Sequence, residues 1–416
     1  MNGKMKIHKA LSQRLRISRL RRHDFAPLIQ LSVERLRYQP PESPLHRHRQ
    51  LAPNANVRVS PFCLGTMGFG EADKHRMGEC TKETAFEILD NFWELGGNFL
   101  DTACGYQAQQ SEQWLGEWFE ARGNRDEFVI ATKYSSAYCK HEKDIKIQSN
   151  FGGNGTKSLR LTLENSLKNL RTTYIDLFYV HWWDYNTSIP ELMNGLNDLV
   201  SAGKVNYLGI SDCPAWVVAK ANQYARDHGL RQFVAYQGLW NAAVRDFERD
   251  IIPLCRDEGM ALIPYGAVGG GKFQTAKALE EREANNPGRK GVPSDTYKAV
   301  SAKLEAVGEA KKATLHNVAL AYVMQKAPYV FPLVGTRTLK HLKDAVEGLK
   351  VNLSDDDIHQ IDQASHFDPG FPHTFLSGSL WGGEPSVPHG GKDVWLTNTL
   401  GTFDYVDLPG PIRPKA

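Results

Sequence analysis

Asp101, Tyr106, Lys133 and His181 lie at or just beyond the ends of three successive strand-like runs: NFLDT (98–102), EFVIATK (127–133) and YIDLFYVH (174–181). An acid, a phenol, an ammonium and an imidazole gathered at one place can deliver a proton to a carbonyl oxygen. A free phenol has a pKa of about 10 and is a sluggish donor at neutral pH. A neighbouring ammonium favours the phenolate and lowers that value. Lys133 can be that ammonium, and Asp101 can hold it with a salt bridge. His181 supplies a second hydrogen bond, so charge developing on the oxygen meets donors already in place. Tyr106 then protonates the oxygen as hydride reaches the carbon. None of these side chains carries a hydride, so a nicotinamide cofactor is implied. Singly, an Asp at a strand end usually caps a turn, and a Lys or His there is usually solvated. The order of the four at consecutive strand ends makes coincidence a poor explanation.

Such a set needs a scaffold that brings consecutive strand ends together. Buried strands are expected at 62–64, 98–101, 128–133, 175–181, 205–211, 233–237, 261–265 and 329–334, with amphipathic helices between them. Phe86, Leu89, Phe92 and Trp93 mark the apolar face of a helix over 82–95, with Thr81 as N-cap and Gly96-Gly97 as its stop. Leu159, Leu163, Leu167 and Leu170 stripe another over 157–171. Eight strands in this alternation predict an α/β fold of the (β/α)8 TIM-barrel type, whose C-terminal strand ends ring one mouth. A hairpin is expected ahead of the first strand, within 49–65, and a polar insertion over 275–295. Residues 1–44 read as a disordered basic extension, 45–365 as the barrel, and 366–416 as a long C-terminal tail. That tail is rich in Gly, Pro and aromatics, and its aromatic content predicts packing against the barrel near the mouth.

Composition narrows the function class. With 41% hydrophobic residues the chain can bury a large core. Residues 1–50 hold twelve Lys/Arg against three Asp/Glu, so the net charge of +3 leaves residues 51–416 at −6. A mildly acidic body gives no reason to expect nucleic-acid binding. No run approaches the roughly 18 apolar residues that a membrane span requires. The six cysteines form no C-x-x-C pair, which predicts free thiols in a reducing compartment and no metal site. A cytoplasmic location follows. Residues 1–23, rich in Arg and Lys without an acid, are also compatible with a mitochondrial transit peptide.

The blocks FLDTACGY (99–106), VIATK (129–133) and YIDLFYVHWWD (174–184) resemble the tetrad blocks of the aldo-keto reductases. The tail motif TFDYVDLPGPIRP (402–414) and the Trp182-Trp183 pair are most similar to the fungal aryl-alcohol dehydrogenase branch, which includes norsolorinic acid reductase-like members. This resemblance implies a (β/α)8 barrel that binds NADPH/NADP+ without a Rossmann domain. It makes Tyr106 the general acid, Asp101 and Lys133 the pair that tunes it, and His181 the carbonyl-orienting imidazole. Ser211, Asp212 and Gln237 match positions that hold the nicotinamide carboxamide, and Tyr265 matches the aromatic that stacks on its ring. Asp212 stands where many members have Asn, Ala345 where many have Asn against adenine, and Cys104 where Asn is common. Cys104 reads as a small buried filler, with an oxidation-sensitive thiol as the alternative.

Gly269-Gly270-Gly271 followed by Lys272 can bring backbone N–H groups and an ammonium to a pyrophosphate, although a flexible barrel loop is the plain alternative. GTMGFG (65–70) is no dinucleotide fingerprint. Gly335 and Thr336 precede a helix whose N-terminus can face an anion. By resemblance Arg337 pairs with the 2′-phosphate that distinguishes NADPH from NADH, and His341 belongs to the same segment. Met67, Phe69, Trp182, Trp183 and Trp240 fall in loops after strands, where an apolar, stackable wall would suit planar aromatic substrates. Reduction of a small aromatic aldehyde or ketone, a polyketide intermediate among them, is the expected activity. A regulatory, redox-sensing subunit like the potassium-channel β-subunits is the rival reading.

Overall fold

Eight parallel strands form a barrel in which neighbours follow sequence order and the last strand lies beside the first. A computed structural model describes residues 41–285 and 293–414. The strands are β3 (Cys63–Gly65), β4 (Phe99–Asp101), β5 (Val129–Tyr134), β6 (Ile175–Val180), β7 (Val205–Ser211), β8 (Phe233–Leu239), β9 (Ala261–Tyr265) and β10 (Leu333–Gly335). Ahead of them, β1 (Arg49–Ala52) and β2 (Ala55–Val59) form the antiparallel hairpin. Among the described residues no helix is long and apolar enough to cross a membrane, and no group of His, Cys, Asp and Glu could hold a metal.

Every residue of β5 and β6 is buried. Side chains that point inward meet one another, and those that point outward meet helices, so these strands are mostly apolar on both faces, with Thr132, Lys133 and Asp176 as the buried polar exceptions. Two cores result. The inner one holds Phe99, Val129, Ala131, Leu177, Tyr179, Ala235, Ala261 and Ile263, closed from below by Leu51, Ala52, Ala55 and Val59 of the hairpin. Gly209 cedes its inward space to the Tyr179 ring, which a Cβ there would strike. The outer core packs Leu100, Ile130, Phe178 and Val180 against α1 (Lys82–Glu94), α2 (Gln110–Arg122) and α3 (Thr156–Asn169). Thr81 caps α1 as its side-chain type predicts, accepting from the Thr84 amide.

The ring continues through α4 (Ile189–Ser201), α5 (Ala215–Asp227) and α6 (Ile251–Asp257). Then come α7 (Ala276–Asn285), α8 (Asp295–Lys311), α9 (Leu315–Lys326), α10 (Leu339–Gly348) and α11 (Asp355–Asp362). Two expectations need correction. The polar stretch 275–295 begins as a helix, α7, and its residues 286–292 lie outside the described residues, as do residues 1–40 of the basic extension. The last strand is split: Val330 bridges to Leu262 on one side, while β10 starts at Leu333 and pairs with β3. Pro332 lies between these segments and has no N–H to give a ladder; its carbonyl accepts from the Cys63 amide at 3.0 Å.

The tail belongs to the same compact unit, Ser43–Ala416. The Arg245 and Arg249 guanidiniums lie 4.4 and 4.9 Å from the Phe367 ring centroid, and Arg249 Nε donates to the Asp368 carbonyl at 2.9 Å. Arg413 pairs with Asp355 at the start of α11. The tail thus lies on the flank beside α6 and α11. All six cysteines are unbridged and buried.

Candidate active site

Side chains two apart on a strand share a face. The inner core ends on Phe99, Ala131, Tyr179, Ala235 and Ile263, so the next inward positions are Asp101, Lys133, His181, Gln237 and Tyr265. Ser211 takes the same place above Gly209 on β7. Strand parity alone therefore delivers an acid, an ammonium, an imidazole, an amide, a phenol and a hydroxyl to one mouth.

Lys133 is fully buried and ion-pairs with one Asp101 oxygen, while its Nζ also donates to the Thr102 carbonyl at 2.8 Å. Gln237 Nε2 donates to the other Asp101 oxygen at 2.8 Å. The amide placed against the carboxamide by resemblance thus has its nitrogen engaged below, which leaves its carbonyl to accept from above. Lys133 Nζ stands 5.2 Å from the Tyr106 ring centroid, and the Tyr106 and His181 rings meet edge to face at 5.9 Å. Burial alone would depress Lys133, but Asp101 and the Tyr106 oxygen push its pKa above the ordinary range, so the amine stays charged.

The sequence predicts a net lowering of the Tyr106 pKa, and the structure reverses that sign. Burial raises it, Lys133 only partly offsets the rise, and Asp101 adds to it. The phenol therefore keeps its proton at neutral pH, the state a proton donor needs. Burial, then the Lys133 ammonium, pulls His181 down to about 3, so its imidazole is neutral. Its Nδ1 is buried without a partner. An orphaned buried N–H is rarer than an orphaned acceptor, which assigns the proton to Nε2 and makes that nitrogen a donor.

Two supporting devices escaped the sequence reading. Ser135 Oγ accepts from the His181 amide at 3.1 Å, and the buried Asn154 donates to Ser135 Oγ at 2.8 Å and to the Trp182 carbonyl at 3.0 Å. Asn154 Oδ1 also accepts from the Asp184 amide at 2.9 Å. One amide therefore fixes the loop that carries His181 and Trp182. Its partners lie about twenty to thirty residues away, so no local pattern announces it. The second device is the left-handed turn at Gln107, Ala108 and Gln109 (φ 51°, 51° and 77°) directly after Tyr106. Gln107 donates to the Met67 carbonyl (3.2 Å) and accepts from the Asp73 amide (2.7 Å), and Gln109 accepts from Asn165 (2.8 Å). The only signal for it was the uncharged polar cluster QAQQ (107–110) beside the tyrosine.

On the cofactor side, Asp212 accepts from the Tyr265 hydroxyl at 3.2 and 3.4 Å. Gly269, Gly270 and Gly271 form a turn with φ of 80°, 58° and 85°, and Lys272 lies 4.8 Å over the Tyr297 ring. Gly335 ends β10 and Thr336 follows it, Thr338 caps α10 through the His341 amide, and Arg337 turns toward the loop after β3, against Gly78. A side chain at Gly78 would collide with the guanidinium. Cys104 is buried and its Sγ donates to the Ser136 carbonyl at 3.4 Å, as befits a filler.

Met67 and Trp182 are 38% and 40% exposed, and Trp183 packs part-buried on the outer core. Phe69 and Trp240 do not line the mouth. Both are fully buried in the outer core. The Phe69 amide donates to the Thr66 carbonyl in a tight turn that folds the ring back. Trp240 stacks on Phe247 (5.8 Å, 11°) and donates to Glu248 at 3.3 Å. A loop position did not weaken the demands of packing there.

Residues 61–366 match the Aldo/keto reductase family. The chain belongs to that family. It is 61% identical over 370 residues to norsolorinic acid reductase B of Dothistroma septosporum, covering 88% of this chain and 94% of that one. An aryl-alcohol dehydrogenase of Pestalotiopsis microspora is 50% identical (90% and 95% covered), and the aryl-alcohol dehydrogenase [NADP(+)] of Phanerodontia chrysosporium 44% (90% and 97%). As an aldo/keto reductase the protein is an oxidoreductase, and its cofactor is NADPH. The mouth fits that group. A Cβ at Gly271 or Gly335 would project into open space, as a phosphate cradle requires, and the Tyr265 ring stands part-exposed beside the tetrad.

Proposed function

We propose that this reductase converts aromatic aldehydes or ketones to alcohols, with Tyr106 as the proton donor. The carrying observation is a protonated Tyr106 packed between the Lys133 ammonium and a neutral His181 at the end of one inward-facing ring. NADPH supplies the hydride when bound. His181 Nε2 and the Tyr106 hydroxyl converge on the carbonyl oxygen and hold the carbon for attack. Tyr106 gives its proton to that oxygen. Lys133 stabilises the phenolate left behind, Asp101 keeps the ammonium aimed, and Gln237 holds Asp101.

Ser211, Asp212, Gln237 and Tyr265 are proposed to hold the nicotinamide end, and Gly271, Lys272, Gly335, Thr336, Arg337 and His341 the phosphates and ribose. The exposed Met67 and Trp182, with Trp183 behind, would form the apolar wall for a planar ring. Relatives named for norsolorinic acid and for aryl alcohols support an aromatic carbonyl, a polyketide-type ketone included, and their enzyme names favour turnover over a regulatory subunit. Buried, unbridged thiols support a reducing compartment such as the cytoplasm.

The test is Tyr106→Phe with a panel of aromatic aldehydes. NADPH affinity should hold, while reduction falls about a hundredfold or more, because only the transferable proton is gone. Reduction at the native rate would mean that the acid is another group.

A further inference from the structure

We propose that Asp212 biases this site toward the oxidised cofactor, so that NADP+ binds more tightly, relative to NADPH, than it would beside a neutral side chain. This rests on the hydride-transfer reading above and adds a redox preference to it.

Asp212 follows the inward Ser211 at the end of β7, with φ of 44°, in the left-handed region that Asn and Asp tolerate best among side-chain-bearing residues. Its amide donates to the Gln237 carbonyl at 3.1 Å, which ties the turn to the neighbouring strand. The carboxylate accepts a hydrogen bond from the Tyr265 hydroxyl, and no Lys, Arg or His forms an ion pair with it among the described residues. Lys133, the cation whose field reaches it, is already committed to Asp101. Around the hydride-transfer end the charged groups among the described residues are thus two carboxylates and one ammonium, with His181 neutral, Tyr106 protonated, and Lys272 and Arg337 on the phosphate side. The ring leaves a net negative charge with no partner.

A positive ring would compensate it. The hydride donor must come within about 3.5 Å of the carbon whose oxygen Tyr106 protonates. Tyr265 is one of the inward strand-end positions that ring the mouth beside Lys133 and His181, and its hydroxyl holds Asp212, so the stacking ring and the carboxylate border the space where Tyr106 acts. A reduced nicotinamide ring is neutral and an oxidised one carries a positive charge. Asp212 is exposed in the cofactor-free protein, and a ring bound beside Tyr265 would cover it; the attraction across a few ångströms, once water is displaced, is worth about tenfold in relative affinity.

The experiment titrates purified native protein, Asp212→Asn and Tyr265→Phe with NADP+ and with NADPH, following quenching of intrinsic tryptophan fluorescence. Asn suits the left-handed backbone and keeps the hydrogen-bonding shape, so only charge changes. In Asp212→Asn the preference for NADP+ should fall about tenfold, with most of the loss on the NADP+ side. Tyr265→Phe, which strips the carboxylate of its donor, should move the ratio the opposite way. An unchanged ratio, equal weakening of both cofactors, or a shift of the same sign in both variants would overturn the proposal. If native protein bound neither cofactor, the hydride-transfer reading would fall first. If it bound both with an unaltered ratio across the variants, only the Asp212 proposal would fall.

Discussion

Acidifying the cofactor-free protein from about pH 7.5 to about pH 5 should weaken its fold through His181 by about 2 kcal/mol. Burial and the nearby Lys133 ammonium bring this imidazole from 6.5 to about 3 in the folded state. In the unfolded chain the same ring protonates near its ordinary value. Between those two values the unfolded state therefore binds more protons, and stability falls as the pH falls. The window opens at 6.5 and closes near 3. A pH of about 5 lies roughly 1.5 units inside it, and each unit is worth about 1.36 kcal/mol. Asp184 and Glu248, whose pKa values are lowered in the fold, start from carboxylate values and respond mainly below this range. Urea unfolding of native protein and of His181→Gln at both pH values isolates the effect, because Gln cannot titrate. The native protein should lose about 2 kcal/mol more than the variant on acidification. Equal losses, within about 0.5 kcal/mol, would show that His181 is not held neutral by its surroundings.

Three further outcomes are expected. Gln107→Ala removes the ties to the Met67 carbonyl and the Asp73 amide while keeping the left-handed backbone; KM for an aromatic aldehyde should rise about five- to tenfold in steady-state kinetics, with NADPH affinity within about twofold. Asn154→Ala leaves the Trp182 carbonyl, Ser135 and the Asp184 amide without their partner; unfolding free energy should drop by about 2–4 kcal/mol, and kcat should fall as His181 loosens. Arg337→Ala should weaken NADPH at least about tenfold more than NADH, and Gly78→Ala, whose Cβ would strike the guanidinium, should partly reproduce that change in a binding titration.

The site was legible because barrel strands convert sequence parity into direction. Once β5 and β6 were recognised as runs buried on both faces, Lys133 and His181 had to point inward above Ala131 and Tyr179. What escaped was whatever depends on depth or on distant partners. The Lys133 ammonium beside Tyr106 could be foreseen, but burial outweighs it, and burial is not written in a strand end. Phe69 and Trp240 sit in loop segments, yet a tight turn and a stacked Phe247 draw them into the outer core. Asn154 reaches across two loops, and the turn after Tyr106 takes left-handed angles without a glycine at any of its three positions. Pro332 divides a run that apolar character alone joined into one strand.

The six concealed sulfurs have a practical meaning for a catalyst that handles electrophiles. Only a thiolate attacks an aldehyde, a quinone or an alkylating reagent, and burial raises every cysteine here, Cys80 to about 11 and Cys213 to about 12. Cys104, two positions before Tyr106, is buried like the rest. The folded enzyme should therefore resist poisoning by its own reactive substrates, tolerate storage without added reductant, and yield to maleimide labelling only as it unfolds.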